Sequence, residues 1–271
     1  PIPRTLAITL YGDLDLSVIS ELPAGRPAIK TLWLTEDKVS EAYALARQEA
    51  ISGRQVFIVY PVIEDSFALD ISGAKKMYEE LKTGYYKDFK RGLSHGKLKH
   101  EEQDRIMSKF RERSIDILVS TTILEVGIDI PNATCMIVEH AHRFGLSQLH
   151  QLRGRIGRGV SDSVCILISD APTVEAKARV EAMVKYGSGF KIAEEDLKIR
   201  GPGEFFGKEQ HGLSDLKIGD PLTQMQLLKK AREEAVKLLK SDPSLAARQN
   251  QYLKEDLLFR FPEYEKIMLV G

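Results

Sequence analysis

Neither sign of charge is in excess in these 271 residues, where 39 lysines and arginines face 39 aspartates and glutamates. No global field therefore draws the chain to nucleic acid or to a membrane, although a local basic groove stays open. Cysteine is nearly absent. The two present, Cys135 and Cys165, sit in the apolar runs Cys-Met-Ile-Val and Val-Cys-Ile-Leu-Ile, where they read as core thiols rather than as a disulfide or a metal pair. No hydrophobic run approaches the ~20 residues needed to cross a bilayer, and no signal peptide pattern opens the chain. A reducing cytoplasm is the compartment expected. An initiator methionine is missing too: Pro1-Ile2-Pro3-Arg4-Thr5-Leu6 leads at once into the apolar Ala7-Ile8-Thr9-Leu10-Tyr11, which reads as a piece of a longer chain.

Several chemistries lack their residues. Neither Gly-Lys pair is followed by Ser or Thr, since Gly96-Lys97 precedes Leu98 and Gly207-Lys208 precedes Glu209. The sequence thus holds no phosphate-cradling Gly-Lys-Ser/Thr loop. No apolar strand runs into an Asp-Glu pair that would hold magnesium, and no nucleophile–base pair or metal-spaced cluster stands out. Gly201-Pro202-Gly203-Glu204-Phe205-Phe206-Gly207 is no dinucleotide fingerprint, because its third glycine comes one place late and no strand precedes it.

What is present is an ordinary soluble composition, 43% hydrophobic and 29% charged. From residue 28 to about 186, strand and helix patterns alternate. Strands are expected at Ala28–Leu34, Val56–Tyr60, Ile115–Val119, Cys135–Val138 and Val164–Ile168. Helices are expected from Val39 until Gly53 stops them, and over Ala74–Lys82, Glu101–Arg113 and Ser147–Leu152. This order predicts an α/β fold with a mainly parallel sheet flanked by helices. Beyond residue 186 glycines punctuate a charged stretch that reads as loop-rich. A long helix from Gln224 to Lys240 follows, with Met225, Leu228, Ala231, Ala235 and Leu238 expected to form a core face. The expected division is 1–27 as a leading segment, 28–186 as the α/β domain and 187–271 as a partly helical appendix.

Two constellations can carry chemistry. Between Glu139 and Asp162 no acid intervenes, while Arg143, Arg153, Arg155 and Arg158 accumulate. Arg155 and Arg158 each follow a glycine and sit three residues apart, so on a helical turn both side chains can point the same way. Guanidinium forks match phosphate oxygens and stay charged when desolvated. A phosphate clamp and a solvated basic surface both remain open from these residues alone. The second constellation, Ser120-Thr121-Thr122-Ile123-Leu124-Glu125-Val126-Gly127-Ile128-Asp129-Ile130-Pro131, follows a strand directly. Ligands of parallel α/β sheets bind outside the carboxyl ends of strands, where hydroxyls can meet phosphates and Asp129 a ribose hydroxyl. A capped strand-to-helix loop is the bland alternative.

Taken in order, a Ser-Thr-Thr strand exit, a Gly-x-Asp-x-Pro turn, a further strand and Gln151-x-x-Gly-Arg155-x-Gly-Arg158 resemble motifs V and VI of superfamily 2 helicases. In that superfamily two RecA-like domains close on ATP, the first supplying phosphate loop and metal site and the second supplying arginine fingers. Other segments resemble the RecG family of branched-DNA helicases. These are Pro1-Ile2-Pro3-Arg4-Thr5 with Gly12-Asp13-Leu14-Asp15, the strand Gln55–Ser66, the turn Leu93-Ser94-His95-Gly96, and Arg200-Gly201-Pro202-Gly203-Glu204-Phe205-Phe206-Gly207 with Gln210-His211-Gly212. The last is similar to the TRG element, shared with the transcription-repair coupling factor, that links motor closure to DNA movement. The resemblance implies that Arg155, Arg158 and Gln151 face the γ-phosphate and that Gly127 and Asp129 line the nucleotide. It implies that Thr121, Thr122, His95 and Gly96 touch the DNA backbone, and that Arg200, Gly201, Gly203, Glu204 and Gln210 transmit closure. ATP and Mg2+ would be held mainly by an absent first motor domain, so the chain alone is expected to be inactive. The expected partners are branched DNA and the missing motor and wedge domains. Two alternatives remain: the equivalent half of a transcription-repair translocase, and a non-catalytic nucleic-acid-binding module of helicase fold.

Overall fold

The computed structural model describes residues 27–61, 78–81, 84–121, 130–205 and 225–260. These fall into two compact units, 27–205 and 225–260. In the first unit the described residues run β1 (Ile29–Leu34), α1 (Val39–Ile51), β2 (Gln55–Val59), β3 (Arg91–Ser94), α2 (His100–Arg111), β4 (Ile117–Ser120), β5 (Ala133–Val138), α3 (Leu146–Arg153), β6 (Ser163–Ile168), α4 (Val174–Lys185) and α5 (Gly189–Phe205). The six strands form one sheet in the order β1-β6-β5-β2-β4-β3, and every pairing is parallel. That is the parallel α/β architecture the alternating pattern predicts.

The central strands are buried on both faces, and alternate residues feed two separate cores. Phe57, Val59, Leu118, Met136 and Val138 point to one side, where α2, α3, α4 and α5 contribute Phe110, Leu149, Val180 and Ile192. Val56, Ile58, Ile117, Val119 and Ile137 point to the other, packing on Ala42, Tyr43 and Ala46 of α1 and on Leu81 and Tyr86. Near-continuous apolar strands suit this arrangement, since neither face meets water. Cys135 and Cys165 are both free and buried, and they belong to opposite cores. Gly53 ends α1 as expected. At φ +76 it lets its own amide and that of Arg54 close on the carbonyls of Ala50 and Glu49, a Schellman closure.

The loop-rich expectation after residue 186 is corrected over 189–205. This stretch is a helix that runs through Gly201-Pro202-Gly203. Propensity is overridden by packing, because Ile192, Ala193 and Asp196 are buried while α5 lies against α3 and α4. Compactness accordingly divides the chain after Phe205, beyond the change of composition near residue 186.

The second unit holds α6 (Met225–Ser241) and α7 (Gln251–Arg260). Asp242 organises the turn between them, accepting from the amides of Ala246 and Ala247 at 2.8 and 2.9 Å and from Asn250 Nδ2 at 2.8 Å. Of the face expected to be core, Ala231 and Ala235 are exposed and Leu238 is half-buried.

Candidate nucleotide and nucleic-acid site

The helix α3 is capped at its start by Gly145, whose amide donates to Gln148 Oε1 at 2.9 Å. Leu146, Leu149, Leu152 and Arg153 form its buried face, which leaves Gln151 exposed on the other side. The helix closes at Gly154, and a tight turn follows, with the Arg155 amide on the Leu152 carbonyl at 2.9 Å. Arg155 and Arg158 therefore lie on the turn after the helix, not on a helical turn as the spacing suggested.

Between them the chain is pinned to the amino ends of the strands. Ile156 is fully buried, and the Gly157 amide donates to the carbonyl of Ala133, the first residue of β5, at 3.3 Å. Gly157 has φ +69, and a Cβ there would lie 2.8 Å from Ile29 Cγ1. A Cβ on Gly159 would meet the Pro131 carbonyl oxygen at 2.6 Å, a contact no side chain can relieve. The glycines are thus required by close approach and by backbone conformation. They anchor the turn while Arg155 and Arg158 stay partly exposed.

The two guanidinium groups feel one another. Burial first, and then the Arg158 charge, lower the Arg155 guanidinium from its ordinary range. Arg158 also donates from Nε to the Gly154 carbonyl at 3.3 Å. Guanidinium groups present forked donors of a geometry that matches phosphate oxygens. Among the described residues no group of three His, Cys, Asp or Glu could hold a metal ion. These residues fit a nucleotide's phosphate but supply neither a phosphate-cradling loop nor metal ligands.

A second cluster forms at the opposite, carboxyl end of the sheet, where β3 and β4 run side by side. The Thr121 amide donates to the Ser94 carbonyl at 3.2 Å, which joins the strand exit to the His95-Gly96 turn. His95 is buried and Gly96 exposed. Gln103 of α2 holds this turn with its side-chain amide, donating to the carbonyls of His95 at 3.1 Å and Leu98 at 3.3 Å. Thr121 is 2% exposed, and its Oγ1 is buried with no hydrogen-bond partner among the described residues. Buried hydroxyls are ordinarily satisfied, so this one calls for a ligand or an explanation.

The sequence-derived residues thus separate into two groups about 20 Å apart, the length of a six-residue strand. Arg155 and Arg158 lie at the amino ends, while Thr121, His95 and Gly96 lie at the carboxyl ends. Thr122, Gly127 and Asp129 fall outside the described residues, as does Gln210. Arg200, Gly201, Gly203 and Glu204 occupy the last turns of α5. Arg143 is exposed on a short 3-10 turn, Ala141–Arg143. Arg153, counted in the sequence with the other arginines, turns inward instead. The signal was legible, since Leu146, Leu149 and Arg153 share one helical stripe, but positive charge argued against burial. Gln103 gave no signal.

Residues 37–160 match the model of the helicase conserved C-terminal domain, and residues 187–260 match that of ATP-dependent DNA helicase RecG, domain 3, C-terminal. The chain is 51% identical to the ATP-dependent DNA helicase RecG of Thermotoga maritima over 86% of its own length and 30% of that protein's. It is 46% identical to the Synechocystis RecG over 99% of this chain and 32% of the relative. The Bacillus subtilis RecG is 44% identical, over 95% and 38%. The chain therefore spans about a third of the length of these relatives. A solved structure, RecG bound to a three-way DNA junction, superimposes with a TM-score of 0.66 at 48% identity, covering 84% of this chain and 29% of that one.

Proposed function

Because the chain belongs to the RecG family of superfamily 2 helicases, we propose that it serves as the C-terminal motor half of an enzyme that uses ATP to remodel branched DNA. The observation that carries this is the pair Arg155 and Arg158, held partly exposed on one turn that the buried Ile156 and the close-packed Gly157 and Gly159 anchor. In this reading they reach γ-phosphate held by a separate motor domain of the same polypeptide, which also holds Mg2+. There they stabilise charge developing on the transferred phosphoryl group, and Gln151 orients the γ-phosphate or the attacking water. Gly127 and Asp129 line the nucleotide.

At the other end of the sheet, Thr121 and Thr122 hold a DNA phosphate, with His95 and Gly96 beside them. Backbone contacts carry no sequence information, so branched structure rather than base sequence is the substrate feature read. Thr121 and Ile130 flank the connection that carries Gly127 and Asp129, and they lie at opposite ends of the sheet. Arg200, Gly201, Gly203, Glu204 and Gln210 pass closure on to strand movement. The match of residues 187–260 to the RecG module favours this reading over a transcription-repair translocase. A passive binding module would have no use for paired phosphate-facing arginines. The work is that of a DNA-processing enzyme of the cytoplasm, and among the described residues no helix is long and apolar enough to cross a membrane.

The test uses the full-length protein. Arg155→Ala or Arg158→Ala is expected to lower DNA-stimulated ATP hydrolysis by about 10³-fold or more, the range found for arginine fingers, with nucleotide binding largely retained. Full turnover by either variant refutes the assignment.

A further inference from the structure

Arg153 takes no part in the phosphate site, although it stands two residues from Arg155. It is 4% exposed. Its Nη1 donates to the Met183 carbonyl at 2.8 Å and to Thr31 Oγ1 at 3.2 Å. Its Nη2 donates to the Gly187 carbonyl at 3.1 Å and lies 3.2 Å from His150 Nδ1. Burial pushes the guanidinium below its usual range. These partners are two carbonyls, a hydroxyl and an imidazole, none of them a counter-charge. A buried cation so held is a poor source of stability beside an apolar residue of similar volume. What the fork does supply is direction, since it joins the end of α3 to β1, to the last turn of α4 and to the connection that precedes α5.

A second contact fastens the same joint. Gly189, the first residue of α5, sits so close to α3 that a Cβ there would lie 2.8 Å from His150 Nε2. Burial, and then the Arg153 charge, hold the His150 pKa down to about 4, so at neutral pH its ring nitrogen can accept from the guanidinium. The chain passes from Arg153 through Gly154 directly into the Arg155 turn. From Gly189 it continues as one helix to the Arg200–Glu204 segment.

We propose that Arg153 is a positioning residue that keeps the Arg155 turn in register with the α4–α5 connection, so that a shift of either is imposed on the other. This rests on the reading of Arg155 as a phosphate-facing arginine. Arg153 itself touches neither nucleotide nor DNA. It makes α5 move with the state of the phosphate site, and so determines how much strand separation each hydrolysis yields.

The test measures junctions unwound per ATP hydrolysed, together with kcat and KM for ATP, in the full-length protein carrying Arg153→Lys, Arg153→Met or Gly189→Ala. Lysine keeps the charge and loses the fork, methionine keeps the bulk alone, and the alanine methyl crowds His150 Nε2 and so disturbs the same joint from the α5 side. Junctions unwound per ATP should fall about tenfold in Arg153→Lys and in Gly189→Ala, the equivalent of one lost hydrogen bond to a charged group. KM for ATP should stay within about twofold, since ground-state binding is untouched. A merely structural role lowers ATPase and unwinding in equal proportion. An unchanged ratio in both variants, whether activity is kept or lost, therefore overturns the proposal. Should Arg153→Met fail to fold, the other two variants decide the matter. Arg155→Ala run alongside separates the two readings. If it keeps full ATPase, the finger reading fails and takes this proposal with it. If it is inactive while the ratio in the Arg153→Lys and Gly189→Ala proteins is unchanged, this proposal alone fails.

Discussion

At Thr121 a buried hydroxyl without a partner among the described residues stands one residue from the end of a strand. The hydroxyl is costly unless something outside the described structure accepts or donates to it. Thr121→Val keeps the shape and removes the oxygen, which makes its two consequences separable. DNA affinity should fall while the dependence of log affinity on log salt stays unchanged, because a neutral hydroxyl releases no counterion when it meets a phosphate. Stability in urea should stay level or rise, because no unsatisfied group remains to be buried. Affinity measured across a salt series, beside a denaturation curve, checks both. Arg155 and Arg158 were legible in the sequence because glycines bracket them and acids are absent. Their turn was not, since it follows from Gly157 lying against Ile29 and Gly159 against Pro131, contacts between segments more than a hundred and nearly thirty residues apart. Arg153 was only counted among the accumulating arginines. A periodic stripe placed it inward, but nothing in the sequence said which carbonyls would receive it.

On the scale of elements, α3 joins the two behaviours of the molecule. Its outer face presents Gln151, its inner face carries Arg153, and His150 lies at the seam with α5. The pH dependence of stability follows from that seam. Folding lowers the His150 pKa to about 4 from an ordinary 6.5 or so. Between those values the unfolded chain takes up a proton that the folded one refuses, so stability is lost as pH falls from about 6.5 toward 4. Thermal unfolding at pH 7 and pH 5 should show this loss in the parent and a smaller one in His150→Gln, which has no proton to gain. An equal drop in both proteins counts against the seam. The strands and α1 were legible because burial on both faces leaves continuous apolar runs and Gly53 marks a stop. The helix α5 was not legible, since Gly201, Pro202 and Gly203 outweigh the sparse stripe of Ile192 and Ile199 that folds it against α3 and α4. β3 was read only where it enters the turn Leu93-Ser94-His95-Gly96. It is a four-residue strand whose Gly92 fits beneath Ile115.

For the molecule as a whole, the account assigns positive charge on one lobe to a reaction whose remaining parts lie on another. Such charge acts on the transition state more than on the bound substrate. The most direct measurement is therefore a comparison of affinities in the full-length protein, with and without Arg155→Ala, for ADP–aluminium fluoride and for a non-hydrolysable ATP analogue. The first mimics the phosphoryl group in flight and the second the ground state. The account predicts that the substitution weakens the transition-state mimic by about 10³-fold, in keeping with arginine fingers, and leaves the ground-state analogue nearly unchanged. Equal weakening of both, or of neither, contradicts it.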